Sequence, residues 1–456
     1  MPVRHVLVLG AGQSAPYLIQ RLLEDAETHD WFVTVADRDE TQARRRVGGH
    51  PRGATMAFDA TDISLLTTQV RRADAVVNFL SPVFQHSVAR TCVELSTPMI
   101  SASYRDQRLR ELDTEARRKG TLLISEVGLD PGIDHMSAMA MIEREKARGG
   151  RMLKFASYGS GVPSLEDGAP NPLGYAVTWN PRNVVMAGEG GAQYLVDGKV
   201  KIVPYHEVFR RTWRFHVPGV GPMEAYPNRD SLSYRSLYGL EEVETMLRAT
   251  LRHPGWCEVW HQIVRLGLPN EQLRIPDLSA RPWAELLEMF IPRDVTGLHL
   301  EQRVATYLGV SPTGTILQKM RWLGLFDAET PCGAPGQTAA DALMHLLKDK
   351  LRLPPGRTDQ VIVAHELVTE RDGQRERILS VMTERGEPDG ITAMAKTVGL
   401  PAAAAAKLVL TGALPISGAY IPTEPALYRP LRAELEAAGL TFEETREPVP
   451  EGAPIS

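Results

Sequence analysis

The sequence predicts an α/β protein built on a doubly wound parallel sheet, and three observations predict it. Short apolar runs alternate with helix-spaced segments over residues 1–134. A G-x-G-x-x-A turn, carried by Gly10, Gly12 and Ala15, lies between a strand and a helix. An acidic residue, Asp37, closes the next strand, about 20 residues past the turn.

Val6–Leu9 is a fully apolar run, the pattern of a strand buried on both faces. Gly10 permits the tight turn, Gly12 clears the approach of a pyrophosphate, and Ala15 lets the helix pack closely. Gln13 and Ser14 complete that turn. Leu18, Ile19, Leu22 and Leu23 follow at helical spacing, and the helix start turns its free N–H groups to the anion. Phe32–Ala36 is the second strand, and Asp37 is placed to accept ribose hydroxyls. Its carboxylate would repel a 2′-phosphate, which favours NAD; Arg38 would pair with that phosphate, which favours NADP. NAD is the expectation and NADP the alternative.

Glu40–Val47 reads as a polar helix, and 57–62 as the end of a third strand, with Asp59 and Ala60 at the adenine side. Ala75–Leu80 is the fourth strand, with Leu80 and Ser81 at its end; a helix carrying Val83, Val88 and Cys92 follows. Pro98–Ala102 and Thr121–Ser125 are strands five and six, with a helix over Leu109–Lys119 between them. Ligands of such a sheet sit off the carboxyl ends of its strands. Ser103, Tyr104 and 126–130 are candidates on that ground.

The pattern then changes. A helix over Met136–Arg148 leads to a strand at Leu153–Ser157 and a polar, Gly/Pro-rich passage over Gly159–Arg182. Strand signals continue through Trp213–Val217 to Ser231, a mixed α+β pattern. From Gly239 to Leu347 the spacing reads as helical, including Glu241–Leu251, Trp283–Met289 and Leu317–Leu323, and predicts an all-helical insertion. Gln360–Glu370 and Arg375–Glu384 form a hairpin through Asp372-Gly373 that rejoins the second sheet. Gly390–Gly412 is an apolar helix whose Ala402–Ala406 run suits close packing; a helix over Ala426–Ala438 and a short strand end the chain.

The 456 residues hold two or three domains. A net charge of −5 and the lack of a basic run with interleaved aromatics argue against nucleic-acid binding. Cys92, Cys257 and Cys332 form no disulfide framework, which suits a reducing compartment. The first residues run directly into a strand and no apolar run reaches the length of a span, so a cytoplasmic protein without membrane contact is expected. No H-E-x-x-H, G-x-S-x-G or metal-spaced Cys/His cluster supports a metal or serine-hydrolase reading.

If the second domain closes over the nicotinamide end, Ser103, Tyr104, Asp130, Arg229 and Arg252 converge there. Hydroxyls, one carboxylate and two guanidinium groups suit an amino-acid substrate with several carboxylates, because Arg binds carboxylate as a bidentate fork. Each Arg alone reads more readily as a surface ion pair, and Asp130 before Pro131-Gly132 reads equally as a turn residue. His135 reads as a helix-start histidine with no role.

Seven segments from end to end of the chain resemble saccharopine dehydrogenase of the L-glutamate-forming type. They are SASYRD (101–106), SEVGLDPGIDHMSAM (125–139), NPLGYAVTW (171–179), AYPNRDS (225–231), TLRHPG (250–255), RWLGLF (321–326) and TAMAKTVGLP (392–401). The resemblance implies NAD(P)-dependent oxidation of saccharopine to L-glutamate and 2-aminoadipate 6-semialdehyde, or the reverse reduction, in lysine metabolism. It also implies a homodimer of three-part chains: a Rossmann domain (1–134, with 391–456 returning to it), an α+β substrate and dimerisation domain (135–252 with 345–390), and a helical insertion (253–344). Ser103, Tyr104, Asp130, Arg229, Thr250, Leu251 and Arg252 match the family's substrate contacts, with Asp130 or Tyr104 handling the proton. Gly10, Gly12 and Gln13–Ala15 match its cofactor loop. Two positions depart from it: Gly159 replaces a cysteine, and the proline of the glycine turn is shifted to Pro16. A carboxyspermidine-type dehydrogenase would need acidic residues in place of the second domain's arginines, and an inactive NAD-binding sensor or scaffold would not need Asp130 and Arg229.

Overall fold

The computed structural model describes residues 3–166 and 168–450. Six strands come first: β1 (Arg4–Leu9), β2 (Trp31–Asp37), β3 (Gly53–Ala57), β4 (Ala75–Asn78), β5 (Met99–Ser101) and β6 (Leu122–Ile124). Nine follow: β7 (Arg151–Pro163), β8 (Ala192–Val196), β9 (Lys199–Val203), β10 (Trp213–Val217), β11 (Gly221–Pro227), β12 (Arg229–Asp230), β13 (Thr245–Arg252), β14 (Asp359–Arg371) and β15 (Gln374–Arg385). β16 (Gly418–Tyr420) and β17 (Glu443–Val449) end the series.

The first sheet has seven parallel strands in the order β16-β6-β5-β4-β1-β2-β3. Its apolar strands are buried because apolar clusters cover both faces. Winding reverses between β1 and β4, which sets a crevice at their carboxyl ends. The helix Ala393–Leu410 is long and apolar enough by length and composition to cross a membrane, although no run of that kind was expected. It is mostly buried in this domain, and a Cβ at Gly399 would lie 2.6 Å from the backbone nitrogen of Leu18. The small residues let two helices pack closely.

The second sheet has ten strands, with the main path β10-β11-β13-β7-β14-β15-β17. β17 therefore joins this sheet and not the first, an exception to the expected return of 391–456 to the Rossmann domain. Helices Trp256–Arg265, Trp283–Glu288, Leu300–Leu308, Thr315–Leu323 and Ala339–Lys350 follow β13. One continuous apolar cluster joins them to the sheet face of Leu247, Ala249 and Leu251, so the helical segment has no separate core.

Three sequence expectations change. Glu241–Leu251 is not helical: Thr245–Arg252 is β13. Arg248 and Arg252 are buried there, so a strand with two buried faces lost the alternation that would have marked it. β7 runs on to Pro163, past the point where the polar passage was expected to begin. Its Gly161 is a glycine because a neighbour presses on the strand: a Cβ there would collide with the Met394 side chain. The helix expected over Leu109–Lys119 is two, Gln107–Glu111 and Asp113–Lys119.

Candidate active site

The turn after β1 sits at the crevice. Gly10 has φ +100°, and a Cβ there would lie 2.7 Å from the Phe79 carbonyl oxygen, so only glycine fits. A Cβ at Gly12 would meet nothing within 4 Å, which leaves open space beside the backbone for a phosphate. Ala15 is buried, Gln13 exposed and Ser14 half-buried at the start of the helix Pro16–His29. Pro16 stands in that helix's first turn, where its missing N–H costs nothing. Asp37 Oδ2 accepts from Ala11 N at 2.7 Å and Oδ1 from Asp39 N at 2.9 Å, so the carboxylate is fixed beside the turn. Arg38 next to it is exposed. Asp59 is exposed too, and its hydrogen bonds from Thr61 hold its carboxyl below the usual range. Ala60 is buried, and Leu80 lies half-buried past β4, its N–H donating to Asn78 Oδ1 at 3.2 Å. These residues fit a dinucleotide.

The second half of the site begins after β6. Gly132 has φ +149°, and a Cβ there would collide with Gly128. The loop closes with Gly128 N donating to Pro131 O at 3.0 Å and Ile133 N to Gly128 O at 2.9 Å. It sets Asp130 just before the helix Ile133–Ala147. Tyr104 OH, from the loop after β5, donates to Asp130 Oδ1 at 3.3 Å. Ser103 stands one residue before it and holds the loop by its carbonyl, which accepts from Glu126 N at 3.0 Å.

Arg248 of β13 reaches the same place. It donates to Asp130 Oδ1 and, at 2.9 Å, to Asp134 Oδ2. Burial raises the Asp130 pKa above its ordinary value, against the pull of Arg248. Asp134 is also buried, yet His135, Arg248 and the Gly132 N–H hold it low. Burial keeps the Tyr104 hydroxyl protonated far above its ordinary range. His135 has a place after all: its ring bridges Glu126 Oε2 at 2.7 Å and the Tyr238 hydroxyl at 2.5 Å.

Successive side chains alternate along a strand, so Arg248, Thr250 and Arg252 share one face of β13. Thr250 stands in register with Gly159 of β7. Arg252 is buried, its guanidinium carbon 4.9 Å over Tyr175 and 5.8 Å from the Tyr226 ring. It has no carboxylate partner among the described residues, and its Nε is left without an acceptor. Arg229 is exposed, with φ +53°, and lies 5.3 Å over the Tyr104 ring. It also borders a cavity of about 720 Å³ that Arg182, Asn183 and Gln193 help to line. Leu251 does not join this set. Its side chain is in the core and its carbonyl already accepts from Ser160 Oγ and Arg252.

The sequence reading missed Arg248 and Asp134 and dismissed His135. A signal was present in the spacing of Glu126, Asp130, Asp134 and His135, which gathers four ionisable groups about one helix start.

A glycine turn at the switch point, a fixed ribose carboxylate and a second domain bringing arginines to a half-buried carboxyl define a nicotinamide-dependent dehydrogenase. Comparison with known proteins agrees. Residues 6–124 match the saccharopine dehydrogenase NADP binding domain and residues 128–440 the saccharopine dehydrogenase C-terminal domain. The chain is 32% identical to saccharopine dehydrogenase [NADP(+), L-glutamate-forming] of Saccharomyces cerevisiae over 444 residues, 95% of this chain and 97% of that one. It is 32% identical to the mitochondrial alpha-aminoadipic semialdehyde synthase of Mus musculus, covering 96% of this chain and 47% of that longer one. The solved apo structure of saccharopine dehydrogenase (L-Glu forming) from Saccharomyces cerevisiae superposes with a TM-score of 0.84 at 29% identity, covering 97% of this chain and all of that one. The chain belongs to the saccharopine dehydrogenase family and is an NAD(P)-dependent oxidoreductase acting on CH–NH donors.

Proposed function

We propose that this chain oxidises saccharopine to L-glutamate and 2-aminoadipate 6-semialdehyde, or catalyses the reverse reduction, with NAD preferred over NADP. The observation that carries the substrate class is Arg252. A buried guanidinium with aromatic walls and no acidic partner calls for an anion from outside the chain, and a substrate carboxylate supplies one. Arg229 offers a second fork at the mouth, beside Tyr104.

The turn 10–15, the helix start behind it and Asp37 would hold the dinucleotide, which when bound supplies the hydride acceptor. Asp130 takes a proton from the protonated secondary amine, freeing the lone pair that drives hydride departure. Tyr104, kept protonated, donates to Asp130 and orients it. After water adds to the imine carbon, the protonated Asp130 returns its proton to the departing glutamate nitrogen. The Asp37 carboxylate, fixed by Ala11 N, supports NAD by repelling a 2′-phosphate.

Absorbance at the reduced-nicotinamide band, with saccharopine and either dinucleotide, tests this. A rise with NAD is expected. A rise with NADP alone keeps the reaction and moves the weight from Asp37 to Arg38. No rise with either, but one with carboxyspermidine, overturns the substrate.

A further inference from the structure

The charges around Asp130 extend past the groups that the proposed reaction uses. Arg248 donates to Asp130 and Asp134 from one nitrogen, and its guanidinium carbon lies 4.5 Å over the Tyr234 ring. Asp134 is pinned in turn by the Gly132 N–H at 2.6 Å. On the other side β7 closes in with bare backbone. A Cβ at Gly159 would lie 2.7 Å from Asp130 Oδ2, closer than real Cβ contacts come. One carboxyl oxygen is thus held by Arg248 and Tyr104, and the other occupies the room a side chain at 159 would fill.

We propose that Arg248 forms a socket for Asp130 against the bare backbone of Gly159, acting as a positioning residue that fixes the carboxyl's direction. The inference rests on the reading of Asp130 as the proton acceptor.

The charged and titratable groups facing Asp130 are few. Arg248 comes from β13, Tyr104 from the loop after β5, Asp134 and His135 from the adjoining helix, and Tyr234 from the short helix Tyr234–Leu237. Arg229 lies over Tyr104, while Glu126 and His365 stand behind Asp134 and His135. Among the described residues, Arg248 gives Asp130 its one charged hydrogen bond. Without it, burial and the neighbouring Asp134 carboxylate act on Asp130 with little to oppose them. A lysine at 248 would keep the charge but carry its nitrogen on a flexible stem, without the planar guanidinium that lies over Tyr234.

The test is the pH profile of kcat/KM for saccharopine oxidation by the full-length enzyme. Arg248→Met is expected to move the acid limb up by about one pH unit or more. Arg248→Lys should restore most of the limb's position while kcat stays low. The double variant Arg248→Met/Asp134→Asn removes one charge of each sign and guards against loss of folding. An acid limb unmoved in Arg248→Met, or a wild-type kcat in the double variant, with Asp130→Asn inactive, overturns the socket. If Asp130→Asn instead keeps wild-type rate and profile, the reading of Asp130 as proton acceptor is what fails. The socket is then judged from the Asp130 carboxyl resonance in isotope-labelled protein, assigned by its loss in Asp130→Asn. Titration at higher pH in Arg248→Met supports it, and an unmoved titration overturns it.

Discussion

At the cofactor end, every group named above comes from residues 10–80 of one sheet, and backbone does most of the holding. At the substrate end, Tyr104, Asp130, Gly159, Arg229, Arg248 and Arg252 come from two sheets and from loops far apart in sequence. The first end needs small residues and free N–H groups, and its carboxylates are half-buried or exposed. The second end packs the half-buried Asp130 against buried Asp134, His135, Glu126 and Arg248. A dinucleotide brings its own charge to a solvated mouth. Chemistry at an amine needs an ionisable group held in a dry place, and that group must have neighbours to hold it. The comparison therefore predicts that acid sensitivity and substrate selectivity reside at the second end, and cofactor choice at the first.

The largest expected effect is on stability in acid. Burial pushes the His365 pKa down to about 4, partly offset by Asp134. The unfolded chain takes up that proton near the ordinary histidine value of about 6.5. Between those two pH values the unfolded state binds more protons, so stability is complete above the upper one and is lost as pH falls to the lower. The loss attributable to His365 is roughly 3 kcal/mol. Thermal unfolding over this window should show a shallower acid slope in His365→Gln than in the wild type. Equal slopes would place the acid sensitivity elsewhere and break the comparison.

Substrate affinity comes next. Arg252→Met should raise KM for saccharopine about 100-fold, the scale of a buried charge-assisted pair, with dinucleotide Kd unchanged in a fluorescence titration. A rise in dinucleotide Kd would show that the two ends are not separable. Arg229→Ala should raise KM about tenfold, because its exposed guanidinium works in water. An unchanged KM removes Arg229 from the site. The smallest change is at the other end. Asp37→Ser should move the kcat/KM ratio toward NADP by several-fold, about the strength of a screened repulsion. A ratio that stays put would show that Arg38, not Asp37, chooses the dinucleotide.

The same division marks what could be read without coordinates. The strand, glycine turn, helix and closing carboxylate of the first unit are contiguous, so their spacing alone placed Gly10, Gly12, Ala15 and Asp37. Buried parallel strands are apolar on both faces, and runs such as Val6–Leu9 declare themselves for that reason. The hairpin of β14 and β15 was legible because its turn is local. Tertiary structure alone decided β13. Two of its side chains are buried arginines, and a sequence pattern counts arginine as exposed, so the strand was taken for a helix. It also decided that Arg248 meets Asp130 across 118 positions of chain, that the backbone of Gly159 lies against that carboxyl, and that His135 bridges Glu126 and Tyr238. Local spacing records what a residue's near neighbours require of it. What a buried charge requires is a partner, and a partner is found in space.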